Sequence, residues 1–320
     1  MEPAVTSRYF ILGASRSGSS IVELALADLT SATALGEVRW VYKRGIQDND
    51  ICGCGQDFAD CDFWQGTITE DVRENAKDLD HLRATFDNPL KLFAAKYGAV
   101  IAPRLAKDYS AYTAELRRLY ASIDAACDGP IIDNSKRPYY SIAVADALCT
   151  DVGNLVFVHV VRNSIDVVRS WANSKVREES QSKEMMPSYC AAKAIVFWTI
   201  YVFSQLLIRL YFLRKSHFYL SFDDLKAASG QLSVSIDGVT QDVALGEMYL
   251  DKVDYHSVSG NPDRSRWAGG VSVRPSKARS KTIKEWIWYI PLSPALLANA
   301  VLKALCRSSL PISSGASQGS

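Results

Sequence analysis

The chain has no excess of charge of either sign. Lys plus Arg number 36 and Asp plus Glu 35 in 320 residues, a formal net charge of +1. That excludes a surface built to hold nucleic acid through its overall field, so any anion has to be met by local clusters of cations. A disulfide framework is missing too. Seven cysteines in a chain this long, an odd number, point to thiols that are mostly reduced. The opening residues Met1-Glu2-Pro3-Ala4-Val5 carry no basic stretch leading into an apolar one. No secretory signal is read there, and the expected compartment is the cytoplasm. Internal repeats are absent. Clean apolar runs of membrane-spanning length are also scarce. Residues 191–213 are long enough but contain Lys193, Gln205 and Arg209, and cations at mid-span are costly in lipid. They are expected to form a buried core helix. Residues 285–305 are interrupted by Pro291 and Pro294 and are expected as a packing surface, with peripheral membrane contact as the alternative.

The most telling absence is a single lysine. Strand-like Tyr9-Phe10-Ile11-Leu12 runs into Gly13-Ala14-Ser15-Arg16-Ser17-Gly18-Ser19-Ser20 and then into a helix-like stretch. A loop that binds ATP or GTP reads G-x-x-x-x-G-K-[ST], its Lys reaching the β- and γ-phosphates and its Ser or Thr holding magnesium. Here both glycines are correctly spaced, but Ser19 stands in the Lys position and the cation is Arg16, inside the loop. Backbone N–H groups at a helix start still attract an anion. The group that handles a triphosphate is gone, which points to a different phosphorylated cofactor.

Hydrophobic residues make up 48% and charged residues 22%, ordinary for a globular chain with a sizeable core. Strand signals at 9–12, 130–132, 155–161 and 218–222 alternate with helical stretches, the pattern of a central parallel sheet flanked by helices. Residues 155–161 are almost continuously apolar, as a strand covered on both faces requires. Ligands in such sheets bind beyond the carboxyl ends of the strands. Segments 13–20, 133–136 and 162–170 all follow strands directly, so they are expected to frame one pocket. Residues 69–125 read as a helical cap inserted into a single α/β domain over 1–306. Residues 232–239 alternate around Asp237-Gly238, a hairpin signal. Ser- and Gly-rich residues 307–320 read as a disordered tail.

After the apolar strand comes Arg162-Asn163-Ser164-Ile165-Asp166-Val167-Val168-Arg169-Ser170-Trp171. The guanidinium of Arg162 and the hydroxyl of Ser170, about two helical turns apart, can bind a second phosphate. Alternatively, Arg162 pairs with a structural Asp. Taken together, the loop and this segment resemble the 5′-phosphosulfate loop and the 3′-phosphate motif of sulfotransferases dependent on 3′-phosphoadenosine 5′-phosphosulfate (PAPS). Order, strand context and the eight-residue Arg–Ser interval all agree.

Further segments are similar to the glycan-sulfating, tyrosine-sulfating and bacterial branches of that family. They are Leu35-Gly36-Glu37, Asp133-Asn134-Ser135-Lys136, the cysteine-rich 52–64, Ser221-Phe222-Asp223-Asp224-Leu225, and Ser259-Gly260-Asn261-Pro262-Asp263-Arg264. Asn163-Ser164 stands where the family often has Asp-Pro, and Ser15 where it often has Pro.

The resemblance implies a P-loop-type α/β sheet and PAPS as sulfonate donor, with no metal. Gly13, Arg16, Ser17, Gly18, Ser19 and Ser20 would hold the 5′-phosphosulfate; Arg162 and Ser170 would hold the 3′-phosphate, with Arg264 added to the cofactor set. Glu37 would be the general base for an acceptor hydroxyl. Arg16 would stabilise the leaving phosphate and Lys136 the sulfonate oxygens. The implied acceptor is a glycan or other hydroxylated small molecule. The competing readings are a magnesium-dependent P-loop small-molecule kinase and a nucleotide-binding scaffold without turnover.

His159, in mid-strand, is expected to be a core histidine, and His256 a loop histidine. Cys52, Cys54 and Cys61 lack a fourth zinc ligand at convincing spacing, so they are expected to form a packed loop. Asp223 and Asp224 are expected to cap the following helix. Trp40 and Tyr42 are read either as acceptor-stacking rings or as core aromatics.

Overall fold

Strand β1 (Arg8–Gly13) lies at the centre of a five-stranded sheet, between β3 (Ile131–Lys136) and β4 (Leu155–Val161). The edges are β2 (Thr33–Ala34), beside β3, and β5 (Ser216–Ser221), beside β4. All four pairings are parallel. The structure is a computed structural model, and it describes residues 7–148, 155–174, 176–227, 231–236, 239–244, 253–259 and 287–312.

Both faces of the sheet are covered, which is why its central strands read as continuous apolar runs. Phe10, Leu12 and Phe157 point into one core with Leu116, Tyr120 and Ile142. Their neighbours Tyr9, Ile11, Val156 and Val158 point into the opposite one with Val22, Leu24 and Leu26 of helix α1 (Ser19–Thr30). The first core receives the helices expected between residues 69 and 125. These are α3 (Glu70–Glu74), α4 (Ala76–Phe86), α5 (Pro89–Tyr97) and α6 (Pro103–Ala126), preceded by α2 (Asp62–Thr67). The start of α5 shows why the chain turns there: Asn88 accepts from the N–H groups of Leu90 and Lys91, and Pro89 occupies a position where no N–H is needed.

Beyond β3 come α7 (Pro138–Ala147), α8 (Ser164–Trp171), the long α9 (Ala191–Tyr211) and the short α10 (Phe222–Ala227). The expected hairpin forms: β6 (Gln231–Ile236) pairs antiparallel with β7 (Val239–Ala244). Its turn at Asp237-Gly238 lies outside the described residues. The expectation of a disordered tail from residue 307 is corrected over its first part. Strand β8 (Leu310–Ile312) pairs parallel with β6, and Leu310 is fully buried in the core that holds Leu232 and Val234. Two apolar residues in a serine-rich context are enough to complete a small sheet.

Helix α9 also departs from expectation. It is long and apolar enough to cross a membrane by length and composition, and it is buried on one side only. Ile195, Trp198, Val202 and Ile208 are buried, whereas Val196, Ile200, Phe203, Leu207 and Leu210 form an exposed stripe at helical spacing. It packs against α11 (Tyr289–Leu305), and the Arg209 Nε donates to the Leu305 carbonyl at 2.8 Å, satisfying the last turn of that helix.

Candidate active site

The loop after β1 is held open by backbone geometry. The Ser17 N–H donates to the Ala14 carbonyl at 3.2 Å, and the N–H groups of Ile21 and Val22 both return to the Gly18 carbonyl to start α1. Gly18 has φ +86°, and a Cβ there would sit 2.6 Å from the ring of Phe222. Only glycine meets both demands. Arg16 takes φ +71° without that excuse. Such strain persists where the surroundings fix it, and functional sites are where it concentrates. Here the Trp171 indole N–H donates to the Ser15 carbonyl at 2.8 Å, and Arg162 Nη1 donates to the Arg16 carbonyl at 3.0 Å. Ser17, Ser19 and Ser20 are buried, and the Ser17 hydroxyl has no hydrogen-bond partner among the described residues.

Arg162 stands at the carboxyl end of β4, directly beside β1. From β1 the chain moves to β2 and β3 on one side, and from β4 to β5 on the other. The crevice between β1 and β4 is therefore the point where strand order reverses, the usual ligand position in open parallel sheets. The Arg162 Nε is buried without a partner among the described residues, while its guanidinium lies 5.8 Å from the centre of the Phe222 ring. The Asn163 side chain caps α8 through the Ile165 N–H at 3.0 Å. Half-buried Ser170 lies in the last turn of α8, next to Trp171. The expected capping by Asp223 and Asp224 is corrected. The Ser221 hydroxyl accepts from the Asp224 N–H at 3.1 Å, and Asp223 reaches across to accept from the Asn163 N–H at 2.5 Å.

On the other side of β1, the end of β3 meets the turn after β2. Lys136 Nζ donates to Glu37 Oε1 at 2.9 Å, and the Trp40 indole N–H donates to Glu37 Oε2 at 3.1 Å. Lys136 has φ +63°, so both cations of the expected catalytic set stand in the left-handed region. Gly36 has φ +65°, and a Cβ there would come within 2.0 Å of the Ser257 hydroxyl and 2.6 Å of the Ser259 carbonyl. Burial pushes the Glu37 carboxyl up, but Lys136, Arg44 and Arg39 outweigh it and hold the group below its ordinary value.

A third carboxylate organises this corner. Fully buried Glu23 of α1 accepts from the Gly36 N–H and from the Asn134 side-chain amide, both at 2.7 Å. Burial pushes its carboxyl up to about 7, against the two hydrogen bonds that favour the ionised form. Asp133, raised to about 6 by burial, fixes Ser135 through its N–H at 2.7 Å and accepts from the Tyr120 hydroxyl. Neither β3 nor the turn at Gly36 is free to move without breaking these bonds.

A cavity of about 210 Å³ opens between the two halves of the site. Ser15 and Arg16 of the loop line one end, with Glu37, Ser135 and Lys136 beyond them. Trp40, Trp171, Tyr189, Phe197 and Tyr201 supply an aromatic wall, and Arg39, Arg44, Arg137 and Arg177 add cations. Glu37 is the one carboxylate among the described lining residues. Arg39 is bound to Asp87, and Arg177 to Asp50 at 2.9 Å and Glu179 at 3.3 Å. Arg44 donates to the Ser259 hydroxyl, and burial lowers it to about 10. The Trp40 ring has the guanidinium carbons of Arg39 and Arg44 each 4.2 Å from its centre. Trp40 thus belongs to the cavity, while Tyr42 is a core residue, 1% exposed. Arg162 and Ser170 do not line this cavity; they approach the loop from β4 and α8.

His159 is a core residue as expected: fully buried, with Nε2 at 2.9 Å from His217 Nδ1, and held well below its ordinary pKa by burial. Arg264, together with the rest of residues 260–264, lies outside the described residues. Glu23, Arg39 and Arg44 were not singled out from the sequence. The one signal for Glu23 was a lone charge within the apolar face of α1. The cysteine loop is different from its expectation as well. His256 comes from 195 residues beyond Cys61 to within 3.3 Å of its sulfur, a fourth member that no local spacing reveals.

No family model matches the chain, and no curated protein matches it. Among solved structures, the sulfotransferase domain of the Synechococcus PCC 7002 olefin synthase is similar, at 16% identity over 93% of this chain and 97% of that one, with a TM-score of 0.43. That likeness is too remote to carry function.

Proposed function

We propose that the chain transfers a sulfonate group from PAPS to an acceptor hydroxyl. The observation that carries this reading is the Glu37–Lys136 pair, facing the Arg16 end of a lysine-free phosphate loop across one cavity. The loop suits an anion because the buried Ser17 hydroxyl has no partner among the described residues. The Arg162 Nε has none either, beside the same loop. Both are donors that an anion would satisfy. PAPS, when bound, supplies a sulfonate on a phosphate leaving group.

The residues then divide the work. The N–H groups at the start of α1, with Ser17, Ser19 and Ser20, hold the 5′-phosphate end. Arg162 and Ser170 hold the 3′-phosphate. Arg16, which lines the cavity, would stabilise charge on a leaving phosphate oxygen, since fixed cations there stabilise the transition state more than the ground state. Glu37 accepts the proton of the acceptor hydroxyl. Its ion pair makes it a weak base at rest. Were Lys136 to leave Glu37 for a bound sulfonate, burial of Glu37 would be opposed by fewer cations and its basicity would rise.

The acceptor is a glycan or other hydroxylated metabolite. Aromatic walls favour a flat or sugar-like body, and Arg44 with exposed Arg137 favours one that already bears an anionic group. The test is incubation with sulfur-labelled PAPS and a panel of hydroxylated acceptors with and without a carboxylate. Label should move to an acceptor, faster for acidic ones, and Glu37→Gln should slow it by roughly 10²–10⁴-fold. Label that stays on the nucleotide with every acceptor, while ATP donates phosphate to one of them, would overturn the reading.

A further inference from the structure

Cys52, Cys54, Cys61 and His256 each offer one ligand atom, and these four atoms all lie within 4.8 Å of one another. The Cys54 and Cys61 sulfurs are 3.7 Å apart, and Cys61 Sγ is 3.3 Å from His256 Nδ1. A tetrahedral zinc ion with Zn–S of ~2.3 Å and Zn–N of ~2.05 Å needs S···S of ~3.8 Å and S···N of ~3.6 Å. These two separations match the required ones to a few tenths of an ångström, and the other pairs lie within 4.8 Å. A disulfide between Cys54 and Cys61 would need a bond of ~2.05 Å, far shorter than this spacing.

The surroundings are built for a ligand histidine. His256 presents Nδ1 to the sulfurs, while its other nitrogen, Nε2, lies 3.0 Å from Asp254 Oδ1. Asp254 is fixed in turn by the Thr33 hydroxyl at 2.6 Å. A carboxylate on the far nitrogen sets the tautomer and turns the near lone pair toward a metal. The ring is clamped by Phe63, stacked at 4.6 Å and 11°. Its backbone is tied at both ends: the His256 N–H donates to the Ala34 carbonyl at 2.9 Å, and the Trp64 indole N–H donates to the His256 carbonyl at 3.0 Å. The cysteine turn is equally preformed, with the Gly55 N–H donating to the Cys52 carbonyl at 3.0 Å and the Gly53 N–H to the Ser257 carbonyl at 2.9 Å.

We propose that these four residues bind one structural zinc ion. Three thiols ligate as thiolates and His256 as neutral imidazole, so loading a metal-free site releases the three thiol protons to solvent. Four protein ligands leave no open position, which makes the ion a staple and not a Lewis acid for substrate. It joins loop 52–61 to segment 253–259, and that segment supports the candidate base. The Glu37 N–H donates to the Ser259 carbonyl at 3.0 Å, and the Val258 N–H to the Leu35 carbonyl at 3.1 Å. Zinc binding is independent of the sulfonate-transfer reading and stands or falls without it.

The test is elemental analysis of the full chain purified without chelator and after anaerobic reconstitution with zinc alone. The expected result is one zinc per chain in the wild type and almost none in Cys61→Ser or His256→Ala. His256→Cys keeps four ligands and should regain full occupancy, which separates loss of a ligand from loss of the fold. With cobalt in place of zinc, the wild type should show sulfur-to-cobalt charge transfer and tetrahedral d–d bands. Alkylation should modify exposed Cys190 at once and the three ligand cysteines only after a chelator is added. A wild type that takes up no zinc or cobalt, equal occupancy in wild type and Cys61→Ser, or a disulfide between Cys54 and Cys61 in the purified protein would overturn the proposal.

Discussion

Lys136 and Glu37 meet across 2.9 Å from different strands, Lys136 from the end of β3 at φ +63° and Glu37 from the turn after β2. Lys136, Arg44 and Arg39 together hold Glu37 ionised against burial. The stabilisation from its lowered pKa is present above the ordinary value of 4.5 and is lost as pH falls through the lower folded value.

Lys136→Met removes one of those cations without removing the side-chain volume. Turnover of labelled PAPS should fall by roughly 10²–10³-fold, the size of effect seen when one preorganised charge is deleted from a transition state. The acid limb of the kcat/KM profile should move to higher pH, because burial of Glu37 is then less opposed. A pH profile that falls in height without moving would mean that Lys136 does not govern the ionisation of Glu37.

Ser17→Ala separates stability from binding. The hydroxyl is buried without a partner among the described residues, so its removal should leave the thermal midpoint unchanged or slightly raised. Affinity for a phosphorylated adenosine should fall by about 3–10-fold, the loss of one hydrogen bond of about 1 kcal/mol. A large drop in thermal midpoint would mean that the hydroxyl is already satisfied in the free protein.

Glu23 should give stability a pH dependence of opposite sense to that of Glu37. Its folded pKa is raised from 4.5 to about 7. The stabilisation is therefore full below 4.5 and is lost as pH rises through about 7. Between those limits Glu23→Gln should gain on the wild type by an amount of order 3 kcal/mol. Asn134 can turn its unpaired carbonyl oxygen toward the new amide. Glu23→Ala strands the Gly36 and Asn134 donors instead, and should cost about 2–4 kcal/mol below pH 4.5, a cost that shrinks as pH rises through about 7 and the wild type loses its own stabilisation. Urea unfolding at several pH values measures both.

The sheet was legible because its central strands are covered on both faces. Residues such as Phe157 and Val158 alternate between two cores yet read as one apolar run. Strand β2 escaped notice because two residues leave no period to see. The loop, Arg162 and segment 133–136 stand out because each follows an apolar strand, whereas Glu37 and the role of Lys136 were reached through the family resemblance. Glu23 was not legible, since its partners Gly36 and Asn134 lie on other elements. His256 was invisible as a partner of Cys61 for the same reason, and Leu310 because one buried leucine in a serine-rich context carries no pattern. Side chains recruited across the fold are what local periodicity and spacing cannot reveal.

The most direct test of sulfonate-donor binding is calorimetric titration with adenosine 3′,5′-bisphosphate, beside ATP with magnesium, on the wild type and Arg162→Ala, with thermal unfolding followed on both. The expected result is tighter binding of the 3′-phosphorylated nucleotide, weakened about 10–100-fold in Arg162→Ala by loss of a charge-assisted contact of about 1.5–3 kcal/mol. Tighter binding of ATP with magnesium, or an Arg162→Ala protein that folds and binds the bisphosphate as well as the wild type, would contradict it.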